Sequence, residues 1–157
     1  MNKKYYAAYG SNLNKGQMEY RCPGARVAGT SVLKDYRLLF KGSLTGSYLT
    51  VEKAIGCAVP LGIWEVTASH ERSLDRYEGY PDFYYKKTFR LPLRDAVTGE
   101  IREEEIFLYI MHEDRRIGIP TDRYVNTCRE GFEDFGFDPA VLEEAVAWST
   151  RRAGKEN

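Results

Sequence analysis

Two long stretches in the second half of the chain have the composition of β-strands and are joined by a short turn. Residues 84–93 and 104–111 carry tyrosine, phenylalanine, leucine and isoleucine, and the connection at residues 95–100 contains Thr98 and Gly99. Strands joined by so short a connection pair antiparallel, because parallel strands need a much longer crossover. At least part of the core is therefore predicted to form around a β-sheet.

Other segments predict a mixture of further strands and helices. Strands are predicted at residues 4–8, at residues 25–40 as strand, turn and strand, and at residues 57–66. In the last of these, Pro60 and Gly62 demand a sheet edge or a bulge. Helices are predicted to begin near residues 14, 67–69, 120–121 and 138–139. We predict one α+β domain at residues 1–150 with a mixed, partly closed sheet, and a polar tail at residues 151–157.

The bulk composition excludes several classes of partner. Lys plus Arg and Asp plus Glu both number 23, so the net charge is zero. Binding to nucleic acid or to an acidic membrane needs a clustered positive field, and neither is expected here. No stretch approaches the length of a membrane span, and no signal peptide is expected. The three cysteines, an odd number without metal-site spacing, predict free thiols and a cytoplasmic location.

The segment at residues 9–13 is a candidate anion-binding loop. Gly10, Ser11 and Asn12 separate a predicted strand from a predicted helix. Successive backbone N–H groups at such a junction can face an anion, and Gly10 allows a ligand to approach the backbone closely. A simple strand-to-helix turn is the alternative. The loop is not a P-loop, because no Gly-Lys-Ser/Thr follows.

Glu78 is a candidate acid/base. It lies at the predicted C-terminal end of a helix, just before Gly79, where the helix dipole disfavours an anion. Tyrosines close by in the sequence would add an apolar surrounding, and both effects raise the pKa of a carboxyl group. A solvated glutamate at an ordinary helix end is the alternative.

Weaker candidates also exist. A Ser11/His112/Asp114 triad is conceivable from residue type alone. Cys22 is a possible nucleophile without an evident base, and Arg115 with Arg116 is either a carboxylate-binding pair or part of a solvated loop.

Several strings together resemble one known family. Tyr9-Gly10-Ser11-Asn12-Leu13, just after the first strand, resembles the signature of γ-glutamylcyclotransferases and their AIG2-like relatives. Leu74-Asp75-Arg76-Tyr77-Glu78-Gly79 resembles the segment that ends in the catalytic glutamate of that family, with Tyr85 seven positions later. Looser similarities lie at residues 33–38, 62–66 and 120–131.

The resemblance implies a γ-glutamylcyclotransferase-like fold, a small mixed β-barrel with flanking helices. It implies that the α-amine of a γ-glutamyl amine or peptide attacks its own γ-carbonyl, which releases 5-oxoproline and the amine or amino acid. The chemistry requires no cofactor and no metal. Glu78 is the implied acid/base, and the implied substrate-binding residues are Tyr9, Gly10, Ser11, Asn12, Leu13 and Tyr85.

Two alternatives stay open at this point. One is a module that binds a γ-glutamyl ligand or small anion without turnover, and the other is acyl transfer on a different γ-glutamyl conjugate. The sequence also leaves open whether the protein is a monomer or a homodimer, and what Tyr84, Tyr109 and Tyr124 do.

Overall fold

A computed structural model describes residues 3–43 and 46–153. Its elements, in chain order, are strand β1 (Lys4–Ala8), a 3-10 turn (Ser11–Leu13), helix α1 (Lys15–Arg21), strands β2 (Arg26–Ser43) and β3 (Gly46–Val66), helix α2 (Ala68–Glu78), strands β4 (Tyr84–Asp95), β5 (Ile101–Met111) and β6 (Arg116–Ile117), and helices α3 (Asp122–Phe135) and α4 (Pro139–Ala153).

Five of the strands close into a barrel. They are hydrogen-bonded in the order β3-β1-β5-β4-β2, and β2 pairs again with β3. The β1–β5 pair is parallel, and the other pairs are antiparallel. The fold is thus the small mixed β-barrel with flanking helices that the resemblance implies, and the predicted hairpin is the β4–β5 pair.

Strands β2 and β3 differ from the prediction in length. The strand, turn and strand expected over residues 25–40 form one strand, because Asp35, with φ of 63°, shifts the register by a bulge instead of reversing the chain. Strand β3 begins at Gly46, well before residue 57, and continues through Gly56 at a φ of 88°. Pro60 pairs with Val32 on β2, whereas β1 covers β3 only over residues 62–66. The proline therefore lies where β3 has a partner strand on one side, as its missing N–H requires.

Close backbone packing fixes the loop after β1 against the helices. A Cβ atom on Gly131 of α3 would lie 2.6 Å from the backbone nitrogen of Asn14. Only a glycine lets α3 approach this closely, so α3 supports the 3-10 turn from behind. Leu13 and Phe132 are fully buried beside this contact.

Helix α4 continues beyond the predicted domain boundary at residue 150. It runs to Ala153, whose side chain is 7% exposed, so three residues of the predicted tail belong to the packed helix. Residues 154–157 lie outside the described part of the chain. In the described ranges, no helix combines the length and apolar character needed to cross a membrane.

Candidate active site

The loop after β1 offers two backbone donors. A 3-10 turn forms over Ser11–Leu13, and the Leu13 N–H donates to the Gly10 carbonyl over 3.0 Å. Ser11 and Asn12 are the first residues of this turn, so the turn itself gives their N–H groups no acceptor. Within residues 3–43 and 46–153, these two N–H groups have no hydrogen-bond partner. They are free to bind an anionic group, as the candidate nest requires.

The ends of α1 and α2 are fixed by local capping. Asn14 caps α1, at the predicted start of the first helix, because its side-chain oxygen accepts from the Gln17 N–H over 3.1 Å. Helix α2 begins at Thr67 and ends at Gly79, whose φ of 64° is a left-handed conformation that favours glycine. Glu78 is therefore held as the last residue of α2.

Glu78 and the loop face the same cavity. Its volume is about 230 Å³. The lining residues are Tyr6, Ala7, Tyr9, Gly10, Ser11, Asn12, Tyr48, Leu49, Tyr77, Glu78, Phe83, Tyr84, Tyr109 and Tyr124. Glu78 is the one carboxylate or cationic side chain among these lining residues.

The Asn12 side chain connects the loop to the carboxyl group. Asn12 Nδ2 lies 3.5 Å from Glu78 Oε1 and donates to the Tyr6 hydroxyl over 2.9 Å. Its backbone carbonyl accepts from Trp64 Nε1, also over 2.9 Å. The side-chain amide of Asn12 and the carboxyl of Glu78 are therefore neighbours on the cavity wall, although 66 positions separate them in the sequence.

The cavity alters the titration of Glu78. Burial raises the pKa of the Glu78 carboxyl to about 7, and the positive charge of Arg21 acts in the opposite direction. Both protonation states are consequently accessible near neutral pH. This is the property that a group needs to accept a proton in one step and return it in the next.

Tyrosine hydroxyls around the carboxyl group are engaged with the backbone. The Tyr9 hydroxyl donates to the Tyr109 carbonyl over 2.5 Å, and the Tyr84 hydroxyl donates to the Leu49 carbonyl over 2.9 Å. Burial and the charge of Glu78 raise the pKa of Tyr9 and of Tyr84. Both phenols stay protonated at neutral pH and form a rigid neutral wall.

Two of the predicted substrate-binding residues do not reach the cavity. Leu13 is fully buried, and its Cδ2 atom would lie 2.5 Å from a Cβ atom on Gly62, so it packs in the core. Tyr85 points to the opposite face of β4, and its hydroxyl donates to the Glu113 carboxylate. The cavity receives Tyr84 instead, because neighbouring side chains alternate across a strand.

The weaker candidates are not assembled into sites. His112 Nε2 contacts the Pro81 carbonyl at 2.7 Å, and His112 and Asp114 border a different cavity from Ser11. Cys22 is buried, and burial raises the pKa of its thiol to about 11, which makes it a poor nucleophile. Arg115 stacks on the Phe83 ring, with its guanidinium carbon 4.7 Å from the ring centre.

Arg21 is a residue of the site that the sequence did not predict. Its guanidinium donates to Asn12 Oδ1 and lies 3.4 Å from Ser11 Oγ. A signal exists in retrospect, because Arg21 lies seven residues after the Asn14 cap. That distance is about two helical turns, which returns the side chain to the face that carries the loop. Tyr6 was missed as well, and it carries no signal beyond its place in the first strand.

The sequence model of the family described as "Gamma-glutamyl cyclotransferase, AIG2-like" matches residues 6–126, and the chain belongs to this family. A search of the curated proteins gives no significant match. Because the family match covers most of the chain, it includes both the loop and Glu78.

Solved structures show the same fold. A structure named "Gamma-glutamyl cyclotransferase" is 24% identical, with a TM-score of 0.79, over 93% of this chain and 88% of the other. The protein loc79017 from Homo sapiens is 24% identical, with a TM-score of 0.76, over 94% and 88%. YkqA from Bacillus subtilis is 18% identical, with a TM-score of 0.72, over 96% of this chain and 55% of its own. Together, family and fold support an enzyme of the γ-glutamyl cyclotransferase type in general.

Proposed function

We propose that this protein cyclises a γ-glutamyl amine or γ-glutamyl peptide and releases 5-oxoproline and the free amine or amino acid. One observation carries the proposal. Glu78, with a pKa near 7, shares a cavity of about 230 Å³ with two backbone N–H groups that have no acceptor among the described residues. A carboxyl group that can exchange a proton near neutral pH and two backbone donors for an anion thus border one cavity, which supports the proposal.

Glu78 handles both proton transfers in this scheme. As a carboxylate it takes a proton from the α-ammonium group of the substrate, which frees the nitrogen lone pair for attack on the γ-carbonyl carbon. The new C–N bond closes the five-membered ring, and the bond to the leaving nitrogen breaks as protonated Glu78 returns the proton to it. The ring nitrogen loses its second proton as it becomes an amide, and the departing amine takes up that proton and leaves as an ammonium ion. A carboxyl group with a pKa near 7 can both accept and donate a proton at neutral pH at little cost in free energy.

The loop supplies the binding groups. The N–H groups of Ser11 and Asn12 are assigned to the substrate α-carboxylate or to the oxyanion that develops on the γ-carbonyl. Gly10 keeps this wall open, since a Cβ atom there would lie 3.3 Å from Leu49 Cδ1 and from the Tyr124 hydroxyl. Tyr9 is assigned to the neutral wall that shapes the pocket.

The cavity size fits this class of substrate. A volume of about 230 Å³ lies below the range of about 300–1,000 Å³ that is typical of pockets for drug-sized ligands. A γ-glutamyl group with a modest leaving group is a ligand of that scale. Because the attack is intramolecular, holding one folded conformer of the substrate supplies much of the catalysis.

The cellular setting is part of the proposal. Cys22, Cys57 and Cys128 are all free thiols, which fits a reducing cytoplasm. A small-molecule substrate is expected, and the protein acts either as a monomer or as a homodimer.

The test measures product directly. Purified protein is incubated with a γ-glutamyl dipeptide and with a γ-glutamylamine, and 5-oxoproline and the free amine are quantified by mass spectrometry. We expect equimolar release of both products, and loss of that release in Glu78→Gln. Glu133→Gln is the matched control, because Glu133 is an exposed glutamate in the last turn of α3.

The same experiment separates catalysis from binding alone. Saturable binding of 5-oxoproline without any product formation across the panel would favour a binding module and sink the proposed reaction. Turnover that persists in Glu78→Gln would keep the reaction but remove Glu78 from its role.

A further inference from the structure

Arg21 contacts the two elements that carry the proposed chemistry. It ends α1, and its side chain is partly buried beside the cavity without lining it. Its guanidinium donates to Asn12 Oδ1 and lies 3.4 Å from Ser11 Oγ. The same group lies over the ring of Tyr77, with its central carbon 3.5 Å from the ring centre. Arg21 therefore joins the loop after β1 to the last turn of α2.

The first contact decides which way the Asn12 amide points. An asparagine side chain has one acceptor end and one donor end, and Arg21 is purely a donor. With Oδ1 held by Arg21, the Nδ2 end must face the Tyr6 hydroxyl and Glu78 Oε1. A reversed amide would place a second oxygen against the Glu78 carboxyl and leave the guanidinium against the NH₂ group.

The second contact fixes the residue next to the carboxyl group. Tyr77 directly precedes Glu78 and is 45% exposed, and its hydroxyl lies 3.5 Å from Ser11 Oγ. A planar guanidinium stacks on an aromatic face, which a lysine ammonium does not do. The stacking on Tyr77 consequently limits the movement of the last turn of α2.

We propose that Arg21 is a positioning residue that aligns the Asn12 amide with the Glu78 carboxyl. Its guanidinium does so by donating a hydrogen bond to Asn12 and stacking on Tyr77 at the same time. The inference rests on the proposed function for its catalytic consequence, although the alignment itself is a property of the protein alone. Arg21 acts through its neighbours and does not touch the substrate.

The titration of Glu78 is sensitive to the charge of Arg21, because the other groups that face Glu78 stay neutral. Five tyrosines face it from β1, the loop after β1, β4, β5 and α3. Their pKa values are all raised, so they stay neutral: Tyr6, Tyr9, Tyr84, Tyr109 and Tyr124. Arg21 carries the one charge among the described groups that acts on the pKa of Glu78. Removing that charge must move the titration of Glu78 to higher pH.

The experiment compares Arg21→Met, Arg21→Lys and the control Arg72→Met, which removes an exposed arginine from α2. In Arg21→Met, we expect kcat to fall by about 10²-fold, as for a misplaced catalytic group. We also expect the acid limb of the pH profile to move to higher pH. In Arg21→Lys, the positive charge stays, but the planar guanidinium that contacts both Asn12 and Tyr77 is lost. We therefore expect kcat to fall while the acid limb of the pH profile stays in place. Arg72→Met keeps both wild-type values.

A readout without turnover keeps the inference independent of the substrate. The Glu78 carboxyl is titrated by ¹³C NMR in each variant, after thermal unfolding has shown that the variant is folded. An upward shift in Arg21→Met but not in Arg72→Met, together with a changed ¹⁵N signal of the Asn12 side-chain amide in both Arg21 variants, supports the inference even if no substrate in the panel is turned over. An unchanged Glu78 titration in folded Arg21→Met, or full kcat in Arg21→Lys, would overturn it while leaving the proposed reaction intact.

Discussion

The Tyr109 hydroxyl donates to Asp75 Oδ1 over 2.6 Å and so joins β5 to α2 one helical turn before Glu78. Asp75 also pairs with Lys86 on β4, at 3.1 Å. The tyrosine is 2% exposed, whereas the Asp75 side chain is partly exposed, so the bond to the carboxylate lies at the edge of the core. This contact between residues far apart in the sequence helps to fix the position of the end of α2 relative to the barrel.

Removing the Tyr109 hydroxyl is expected to destabilise the protein. A hydrogen bond to a charged group contributes about 1.5–3 kcal/mol, so Tyr109→Phe should lower the free energy of unfolding by that amount. Urea unfolding of both proteins at pH 7 measures the difference. Tyr20→Phe serves as the control because Tyr20 is 87% exposed, and its stability should match that of the wild type. Equal stabilities of Tyr109→Phe and wild type would show that the bond to Asp75 contributes nothing.

The stability of the protein should fall as pH rises through the range in which Glu78 ionises. The pKa of Glu78 is about 7 in the folded protein and near its ordinary value of 4.5 in the unfolded chain. Between these two values the folded state binds more protons, so stability decreases with rising pH and levels off above pH 7. Glu78→Gln cannot ionise and escapes this cost, which amounts to about 3 kcal/mol at pH 8.

Unfolding in urea at pH 5 and at pH 8 checks this sign. Glu78→Gln should be the more stable protein at pH 8, and the difference should shrink toward pH 5. Glu133→Gln, on an exposed position of α3, should follow the wild type at both pH values. A Glu78→Gln variant that is less stable than wild type at pH 8 would contradict the raised pKa of the Glu78 carboxyl.

The pKa of Glu78 also predicts how the reaction rate falls at acid pH. Glu78 must be ionised to accept the α-ammonium proton, so kcat/KM should fall by about tenfold per pH unit below an apparent pKa near 7. Rates at subsaturating γ-glutamyl substrate between pH 5 and pH 8 give this profile. A rate that stays constant from pH 5 to pH 8 would exclude Glu78 as the proton acceptor in the free enzyme.

Leu13 is expected to affect folding rather than substrate binding. Its side chain is fully buried between β3 and the aromatic residues of α3. Leu13→Ala should cost about 2–5 kcal/mol of unfolding free energy, as for other large-to-small changes in a core. Ile55→Ala, at a side chain that is 96% exposed, is the control and should change stability by less than about 0.5 kcal/mol. A Leu13→Ala variant with wild-type stability and a raised KM would instead return Leu13 to the binding site.

Much of the fold was predictable because its signals are local. The Asn14 and Thr67 caps, the β4–β5 hairpin and the end of α2 at Gly79 all depend on residues within one or two turns of the feature. The full lengths of strands β2 and β3 were not predictable, because a single residue, Asp35, decides between a bulge and a turn. That choice depends on the pairing of β2 with β3 along its whole length, which a local pattern does not contain.

The candidate site shows the same division. Glu78 and the loop of Gly10, Ser11 and Asn12 were predicted, and they line one cavity. Arg21 was missed because its contacts depend on how α1 packs against α2. Its spacing from the Asn14 cap places it on the face of α1 that carries the loop, but this spacing does not indicate the contact with Tyr77.

Tyr84 and Tyr85 are neighbours on β4, and their side chains point to opposite faces of the strand. The face of the strand, rather than the distance in sequence from Glu78, is expected to decide which tyrosine affects substrate binding. Tyr84 lines the cavity, and its hydroxyl donates to the Leu49 carbonyl, whereas Tyr85 faces Glu113 on the other side of the strand. Tyr84→Phe leaves the Leu49 carbonyl without its partner, at a cost of about 1–3 kcal/mol, and loosens the cavity wall. We therefore expect Tyr84→Phe to raise KM for a γ-glutamyl substrate by at least a few-fold, and Tyr85→Phe to keep both kcat and KM. Steady-state kinetics on the pair decides the matter, since the reverse pattern would mean that Tyr85 turns into the pocket when substrate binds.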